Sequence, residues 1–367
     1  LFTPPAGEIV SLIFNYDRSR LLGAISETVY LNYHWFDAKW AKLHASLQAT
    51  FPGKHVAIVS TDRAESIYLV KASSDRDPGS YFVYDPGKGR LEPFKRILPV
   101  DPDQMRPMEP IAYEARDGLP INGYLTRPFD GAEKVPMIIY PHGGPFGIRD
   151  SWGFQPDVQF LANRGYAVLQ INYRGSGGAG REFINKGRYQ WGRAMQDDLT
   201  DGVEWAISEG IADPNRVAIA GASYGGYAVL AGLTLTPDLY RCGINYVGAS
   251  DLEITFADRG QDARAAGFNY RDNWVGPNKA YREATSPVLH VDRIRVPLLN
   301  AYGENDARVK IDHWDRLETQ LKRNKIPYEA IIEGEQGHGF RDTEASMGFW
   351  ERVERFLALH MPSDVNR

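Results

Sequence analysis

The chain has 367 residues, of which 43% are hydrophobic and 24% charged, a composition typical of a soluble globular protein with more than one domain. The net charge of −5 provides no basic surface for nucleic acid or for an anionic membrane, so we expect neither as a partner. No apolar run approaches the roughly 20 residues that span a bilayer, and no signal peptide opens the chain. The chain begins with Leu1 and not Met, so these patterns leave the compartment open.

Residues 1–105 are predicted to be rich in β-structure. Short apolar or alternating runs between Gly, Pro, Asp and Ser predict strands at Glu8–Phe14, Arg20–Ser26, His55–Ser60, Ser66–Ala72 and Tyr81–Tyr84. The spacing of Trp40, Leu43 and Leu47 predicts one helix. Strands about ten residues apart are typical of β-propeller blades, and a closed propeller needs at least about four blades. This segment has room for two at most, so it is either the last part of a larger propeller or a different small β unit.

A propeller remnant would expose strand edges that pair with other strands in the complete domain. Such edges invite pairing with another chain. We therefore expect this segment to associate with a missing N-terminal propeller fragment or with a second copy of the chain.

The stretch Val100–Pro110 carries several prolines and is predicted to be a linker, which puts a second domain at residues 106–367. After a hairpin at Ile111–Glu114 and Ile121–Thr126, strand and helix patterns alternate. Strands are predicted at Met137–Tyr140, Ala167–Asn172, Val217–Ala220, Gly243–Val247, Leu298–Tyr302 and Tyr328–Ile332. Helices are predicted at Pro156–Asn163, Gln196–Glu209, Tyr224–Leu233, His313–Arg323 and Thr343–Leu359. This alternation predicts an α/β fold, a doubly wound and mostly parallel sheet with functional residues at the carboxyl ends of its strands.

The loop Pro141–Pro145 follows the first of these strands. Its residues His142, Gly143 and Gly144 match a type of loop whose backbone N–H groups hold a tetrahedral oxyanion. His142 also competes for the role of catalytic base, but we expect a residue in this loop to brace it instead.

A second loop carries the candidate nucleophile, Ser223. Gly221 and Gly225 lie two residues to either side of it, which gives the G-x-S-x-G pattern of a nucleophile elbow. The N–H of Tyr224, at the positive end of the following helix, would complete an oxyanion hole with Gly144. A Gly-rich turn between strand and helix also occurs in doubly wound folds without catalysis, so the motif needs partners.

A serine hydroxyl needs a base within hydrogen-bond reach, and the base needs an acid to orient it. Of the eight histidines, His338 lies in a Gly-flanked loop between the last strand and the last helix, where an α/β-hydrolase has its base. Asp306 follows the preceding strand, so the order Ser, Asp, His is that of α/β-hydrolases. Asp251 and Asp258 are competing acids, and His290 is a competing base. The other histidines are less suited to the role: His34, His44 and His55 lie in the N-terminal segment, and His313 and His360 lie in or at the end of predicted helices.

Across residues 110–360 the chain resembles the catalytic domain of the prolyl oligopeptidase family of serine peptidases, closest to its acylaminoacyl-peptidase and dipeptidyl-peptidase branch. The motifs that carry the resemblance are HGGP at 142–145, NYRGSGG at 172–178, GASYGGY at 221–227, GENDARV at 303–309 and EGEQGHGF at 333–340. The resemblance implies an α/β-hydrolase fold and a propeller that limits substrates to short peptides, of which this chain carries only the last portion. It also implies that Arg308 binds the carbonyl of the residue one before the scissile position, which is a different carbonyl from the one that Ser223 attacks, whereas the alternative is an ion pair with Glu304.

We therefore predict a serine peptidase that transfers an acyl group to Ser223, with His338 as base, Asp306 as acid and neither metal ion nor cofactor. A carboxylesterase could use the same three residues, because a fold does not determine the substrate. The second alternative is an inactive fragment that acts as an interaction domain. A truncated propeller could leave the three residues misplaced, and a displacement of about 1 Å can cost roughly 100-fold in rate.

Overall fold

The computed structural model describes residues 2–5, 7–129, 131–255 and 271–364, and its residues cluster into two units. The first unit comprises Leu1–Pro110, Ser151–Asn163 and Gly178–Gly180. The second comprises Ile111–Asp150, Arg164–Gly177 and Arg181–Arg367. The domain boundary expected at residue 105 stays a prediction.

The first unit contains two antiparallel sheets. One has three strands, β1 (Glu8–Phe14), β2 (Leu21–Glu27) and β3 (Leu31–Trp35). The other is a four-stranded meander of β4 (His55–Thr61), β5 (Tyr68–Ser73), β6 (Ser80–Asp85) and β7 (Arg90–Arg96). The helix α1 (Ala38–Thr50) connects them and begins where the Asp37 carboxylate accepts hydrogen bonds from two backbone N–H groups. Residues that share this core include Leu22, Trp40, Tyr68 and Val70.

A third sheet, which belongs mainly to the second unit, has eight strands in the order β15-β14-β13-β12-β10-β11-β9-β8. These strands are β8 (Met108–Glu114), β9 (Pro120–Thr126), β10 (Val135–Ile139), β11 (Ala167–Asn172), β12 (Ala212–Ala222), β13 (Cys242–Tyr246), β14 (Leu298–Gly303) and β15 (Tyr328–Glu333). The strands from β10 to β15 pair in parallel, and β9 pairs antiparallel to β11. Every residue of β10 and β11 is buried, so both faces of the sheet are covered there. The predicted α/β architecture, preceded by a β-rich segment, is confirmed.

The described helices that follow α1 are α2 (Pro156–Asn163), α3 (Arg181–Lys186), α4 (Ala194–Ser208), α5 (Tyr224–Leu235), α6 (Lys279–Ala284), α7 (Asp312–Asn324) and α8 (Thr343–His360). Helices α4 and α5 contact β12, and α8 contacts β13 and β14. Cys242 is fully buried at the start of β13. No helix in the described part of the chain is long and apolar enough to cross a membrane.

Two strands and two α-helices of the described residues were not predicted from the sequence. Strand β7 consists mostly of exposed charged residues and includes Pro93, and β3 follows β2 after a short turn, so neither shows a distinct apolar run. Helices α3 and α6 have six residues each, too few to show a helical period. The expected linker also ends early, because β8 begins at Met108.

His313, predicted to lie on a helix, packs inside the second unit with 3% of its surface exposed. Its Nδ1 atom accepts hydrogen bonds from the backbone N–H groups of Ser250 and Asp251, at 3.1 and 3.3 Å. Burial lowers the pKa of His313 to about 4, so the ring is neutral at neutral pH and can accept both bonds. The neutral imidazole therefore stabilises the loop that follows β13 by accepting two of its backbone hydrogen bonds.

This contact predicts a pH dependence of stability. The folded-state pKa of His313 lies below the unfolded value of about 6.5, so its contribution is complete above about pH 6.5 and is lost as the pH falls towards about 4. His313→Asn keeps an acceptor near Nδ1 and does not titrate. Between these pH values, we expect the unfolding free energy of the wild type to fall relative to the variant by about 1.4 kcal/mol per pH unit. Urea unfolding at several pH values measures it, and parallel curves would contradict it.

Candidate active site

Ser223 lies at the tight turn between β12 and α5. Its backbone has φ 59° and ψ −117°, a strained conformation for a residue other than glycine. A Cβ atom on Gly221 would come within 2.8 Å of the Gly225 carbonyl carbon, and one on Gly225 within 2.2 Å of the Pro141 carbonyl oxygen. The N–H of Ser223 donates to the Tyr246 carbonyl at 2.9 Å, which ties the turn to β13. The two glycines of the motif are therefore required by close backbone contacts.

Asp306 and His338 meet on the loops that follow β14 and β15. Nδ1 of His338 lies 2.7 Å from Oδ2 of Asp306. The other carboxylate oxygen, Oδ1, accepts from the backbone N–H groups of Arg308 and Val309, at 2.7 and 2.9 Å. The Asp306 side chain is fully buried, whereas 17% of the His338 side chain is exposed. With Nδ1–H donating to the carboxylate, Nε2 is the ring atom available to a nucleophile.

The competing acid and base have other partners. The Asp251 carboxylate pairs with Arg316 at 2.6 Å and also accepts from a backbone N–H. The ring of His290 lies 3.2 Å from the Ala284 carbonyl oxygen, between two short 3-10 turns. Asp258 lies outside the residues that the structure describes. Of the described carboxylates considered, Asp306 is the one hydrogen-bonded to His338.

The side chain of His142, within the loop Pro141–Pro145, is buried. Its two ring nitrogens lie 2.8 Å from the Ser176 hydroxyl and 2.7 Å from the Gly143 carbonyl oxygen, and the ring stacks on Tyr173. Burial lowers the pKa of His142 to about 4, so the ring is neutral at neutral pH. His142 therefore braces the loop, as the sequence led us to expect.

The loop Pro141–Pro145 packs directly on the turn that carries Ser223. A Cβ on Gly143 would lie 3.4 Å from the Cβ of Ser223. Gly144 has φ +117°, a conformation that favours glycine, and a Cβ there would meet Ile148 at 2.8 Å. The backbone of this loop thus passes close to the serine side chain.

A cavity of about 410 Å³ opens at Ser223. Its lining residues are Gly144, Phe146, Ile148, Trp191, Ser223, Tyr224, Ala249, Thr255, Arg308 and Val309. The described part of this wall is mostly aromatic and aliphatic, and Arg308 is the charged residue within it. Both Arg308 and Glu304 are described, and no ion pair joins them. The cavity therefore brings together Ser223, both candidate oxyanion donors and Arg308.

Sequence reasoning missed the apolar wall of this cavity. Phe146 and Ile148 follow the loop Pro141–Pro145, called the HGG loop below, so their position beside the site could have been inferred from that motif. Trp191 and Thr255 belong to no motif, and only the folding of distant segments brings them to Ser223.

Relatives of the chain are peptidases by name. It is 36% identical to dipeptidyl aminopeptidase BIII of Pseudoxanthomonas mexicana over 326 residues, which cover 85% of this chain and 47% of that protein. It is 32% identical to dipeptidyl peptidase family member 6 of Caenorhabditis elegans over 337 residues, which cover 83% of this chain and 45% of that one. The chain thus spans about half the length of the curated relatives it matches.

The fold is also similar to that of a solved peptidase. The structure of a puromycin-hydrolyzing peptidase of Mycobacterium tuberculosis superimposes with a TM-score of 0.82 at 26% identity, over 98% of this chain and 56% of that chain. Residues 152–363, more than half of the chain, match the Peptidase_S9 family model, described as the prolyl oligopeptidase family. The resemblance inferred from the motifs is confirmed, and the chain belongs to the prolyl oligopeptidase family.

Proposed function

We propose that this chain is the catalytic part of a serine peptidase that hydrolyses short peptides by acyl transfer. The observation that carries the proposal is the hydrogen bond between Asp306 and His338. It lies at the carboxyl ends of the parallel strands, where Ser223 occupies its strained turn. The names of the two dipeptidyl peptidase relatives support a peptide substrate.

In the proposed mechanism, Oγ of Ser223 attacks the scissile carbonyl while Nε2 of His338 takes its proton. Asp306 holds the Nδ1–H tautomer and stabilises the imidazolium that forms. The backbone N–H groups of Gly144 and Tyr224 bind the tetrahedral oxyanion, at the positive end of α5. His338 then protonates the leaving amine, and water hydrolyses the acyl-enzyme.

The cavity wall supports a preference for an apolar residue before the scissile bond. Phe146, Ile148, Trp191 and Val309 would bury such a side chain, and the described lining residues include no carboxylate to hold a basic one. Arg308 reaches the same cavity with a rigid, permanently charged donor group, which suits a peptide carbonyl.

The first unit supports a further part of the proposal. The meander β4-β5-β6-β7 has the strand number and order of a propeller blade. We propose that this unit is the last part of a propeller, and that the rest of that propeller or a second copy of the chain pairs with its edges.

Replacing Ser223 by Ala tests the nucleophile. The variant should lose turnover of peptidyl anilides and labelling by a fluorophosphonate, with its thermal unfolding little changed, because only the hydroxyl is removed. Labelling that persists on this variant would exclude Ser223. A wild-type chain that cleaves short acyl esters but no peptidyl anilide would indicate a carboxylesterase instead.

Replacing Arg308 by Ala tests the substrate-binding role. The loss of a charged hydrogen bond of about 1.5 to 3 kcal/mol should lower kcat/KM for peptidyl anilides by roughly 10- to 100-fold. Hydrolysis of p-nitrophenyl acetate should change much less, because its one carbonyl is the scissile one and it has no preceding carbonyl for Arg308 to bind. Arg293→Ala, at an exposed arginine outside the cavity wall, is the control. Equal losses on both substrates would mean that Arg308 supports the Asp306 loop instead.

A series of anilides tests the cavity. Substrates with Leu or Phe before the scissile bond should exceed the Gly substrate in kcat/KM by roughly 10- to 100-fold, because burying such a side chain contributes about 1.5 to 3 kcal/mol. Asp and Lys at this position should be poor. A preference for a charged side chain would contradict the assignment of this cavity.

A further inference from the structure

The proposed nucleophile and base lie on loops that are separated by two strands. Ser223 follows β12 and His338 follows β15, and the sheet places β13 and β14 between them. Catalysis tolerates little error in such a distance, since a misplacement of about 1 Å can cost roughly 100-fold in rate. Some contact must therefore set the position of one loop against the other.

The acid and base loops are joined to each other by backbone contacts. The N–H of Glu304 donates to the Glu333 carbonyl, and the N–H of Asn305 donates to the Gln336 carbonyl, both at 3.0 Å. The Asn305 side-chain amide donates to the Gly334 carbonyl at 2.9 Å. These bonds place Asp306 and His338 together, but none of them reaches the turn that carries Ser223.

Tyr246, the last residue of β13, contacts both sides of the site. Its carbonyl accepts the N–H of Ser223 at 2.9 Å, next to the register pair Ala222 and Tyr246. Its hydroxyl accepts the N–H of Phe340, two residues beyond His338. One residue therefore bonds to the nucleophile turn through its backbone and to the base loop through its side chain.

The ring of Tyr246 is itself held in place. It stacks on Phe349 of α8 with a centroid distance of 4.5 Å and meets the edge of Phe340 at 5.1 Å. The next residue, Val247, has φ 46°, unusual for a β-branched side chain, and its N–H donates to the Ala301 carbonyl at 2.8 Å. Contacts on both sides thus restrict the direction in which the hydroxyl points.

We propose that Tyr246 is a positioning residue whose hydroxyl sets the location of His338 relative to Ser223. The inference rests on the proposed function, since it assumes that these two residues react together. Tyr246 lies outside the motifs that identify the family.

Tyr246→Phe tests the inference because it removes the hydroxyl acceptor and keeps both the ring and the backbone carbonyl. We expect kcat for a peptidyl anilide to fall roughly 10- to 100-fold, with KM changed less than about threefold, since Tyr246 does not line the cavity. The rate of fluorophosphonate labelling should fall in parallel. The midpoint of the kcat/KM pH profile should stay in place, because the contact between Asp306 and His338 is retained.

Tyr328→Phe is the matched control. The Tyr328 hydroxyl on β15 donates to Glu318 at 3.0 Å, so this variant also loses one phenolic hydrogen bond, but outside the cavity. Its kcat should equal that of the wild type. Thermal unfolding of both variants shows whether the fold is retained.

The outcomes separate this inference from the proposed function. If the wild type is active and Tyr246→Phe has the same kcat, the positioning role is overturned and the proposed function is retained. A loss in Tyr246→Phe that appears mainly in KM, or that shifts the pH midpoint, would overturn it as well. A wild-type chain without turnover or labelling would overturn both the inference and the proposed function.

Discussion

The candidate site depends on how closely three backbones approach one another at the start of α5. Gly221 faces Gly225, Gly225 faces the carbonyl of Pro141, and a Cβ on Gly226 would come within 2.6 Å of the Asn245 side chain. Any larger residue would push the helix away from β12 and from the HGG loop. Because the helix is almost wholly buried, it has no other position to occupy. The strained backbone of the half-buried Ser223 follows from this packing.

The HGG loop depends in turn on polar contacts made by the stretch 172–178. The Arg174 guanidinium pairs with Asp198 of α4 at 2.7 Å and with Asp117, between β8 and β9, at 2.8 Å. The hydroxyl of Ser176, two residues after Arg174, lies 2.8 Å from the ring of His142 in the HGG loop. A buried charge is tolerated only when it is paired and hydrogen-bonded, so the backbone between Arg174 and Ser176 has few alternative conformations. This explains why the NYRGSGG stretch, which touches none of the proposed reacting atoms, helped to identify the family.

The sequence predicted best those parts of the molecule where the backbone demands a particular residue type. Gly221 and Gly225 could be assigned from the motif alone, and the parallel sheet followed from alternating strand and helix patterns. Trp191 and Tyr246 could not be found, because many residue types suit their backbones and their importance comes from neighbours distant in the chain. Helices α3 and α6 were missed because their periodicity is too short to detect. Patterns within one element are local, whereas a cavity wall or a bridging side chain is not.

The manner in which Asp306 is bound has a consequence for the ionic environment of the protein. Its carboxylate receives two main-chain amides and one imidazole, and no lysine or arginine side chain of the described residues pairs with it. Dissolved salt weakens attraction between exposed charges, but it has little access to short hydrogen bonds around a fully buried group. The orientation of the Asp306 carboxylate is therefore set by hydrogen bonds that the fold itself supplies. We therefore expect the Asp306 carboxylate to keep its orientation in dilute and in concentrated electrolyte alike.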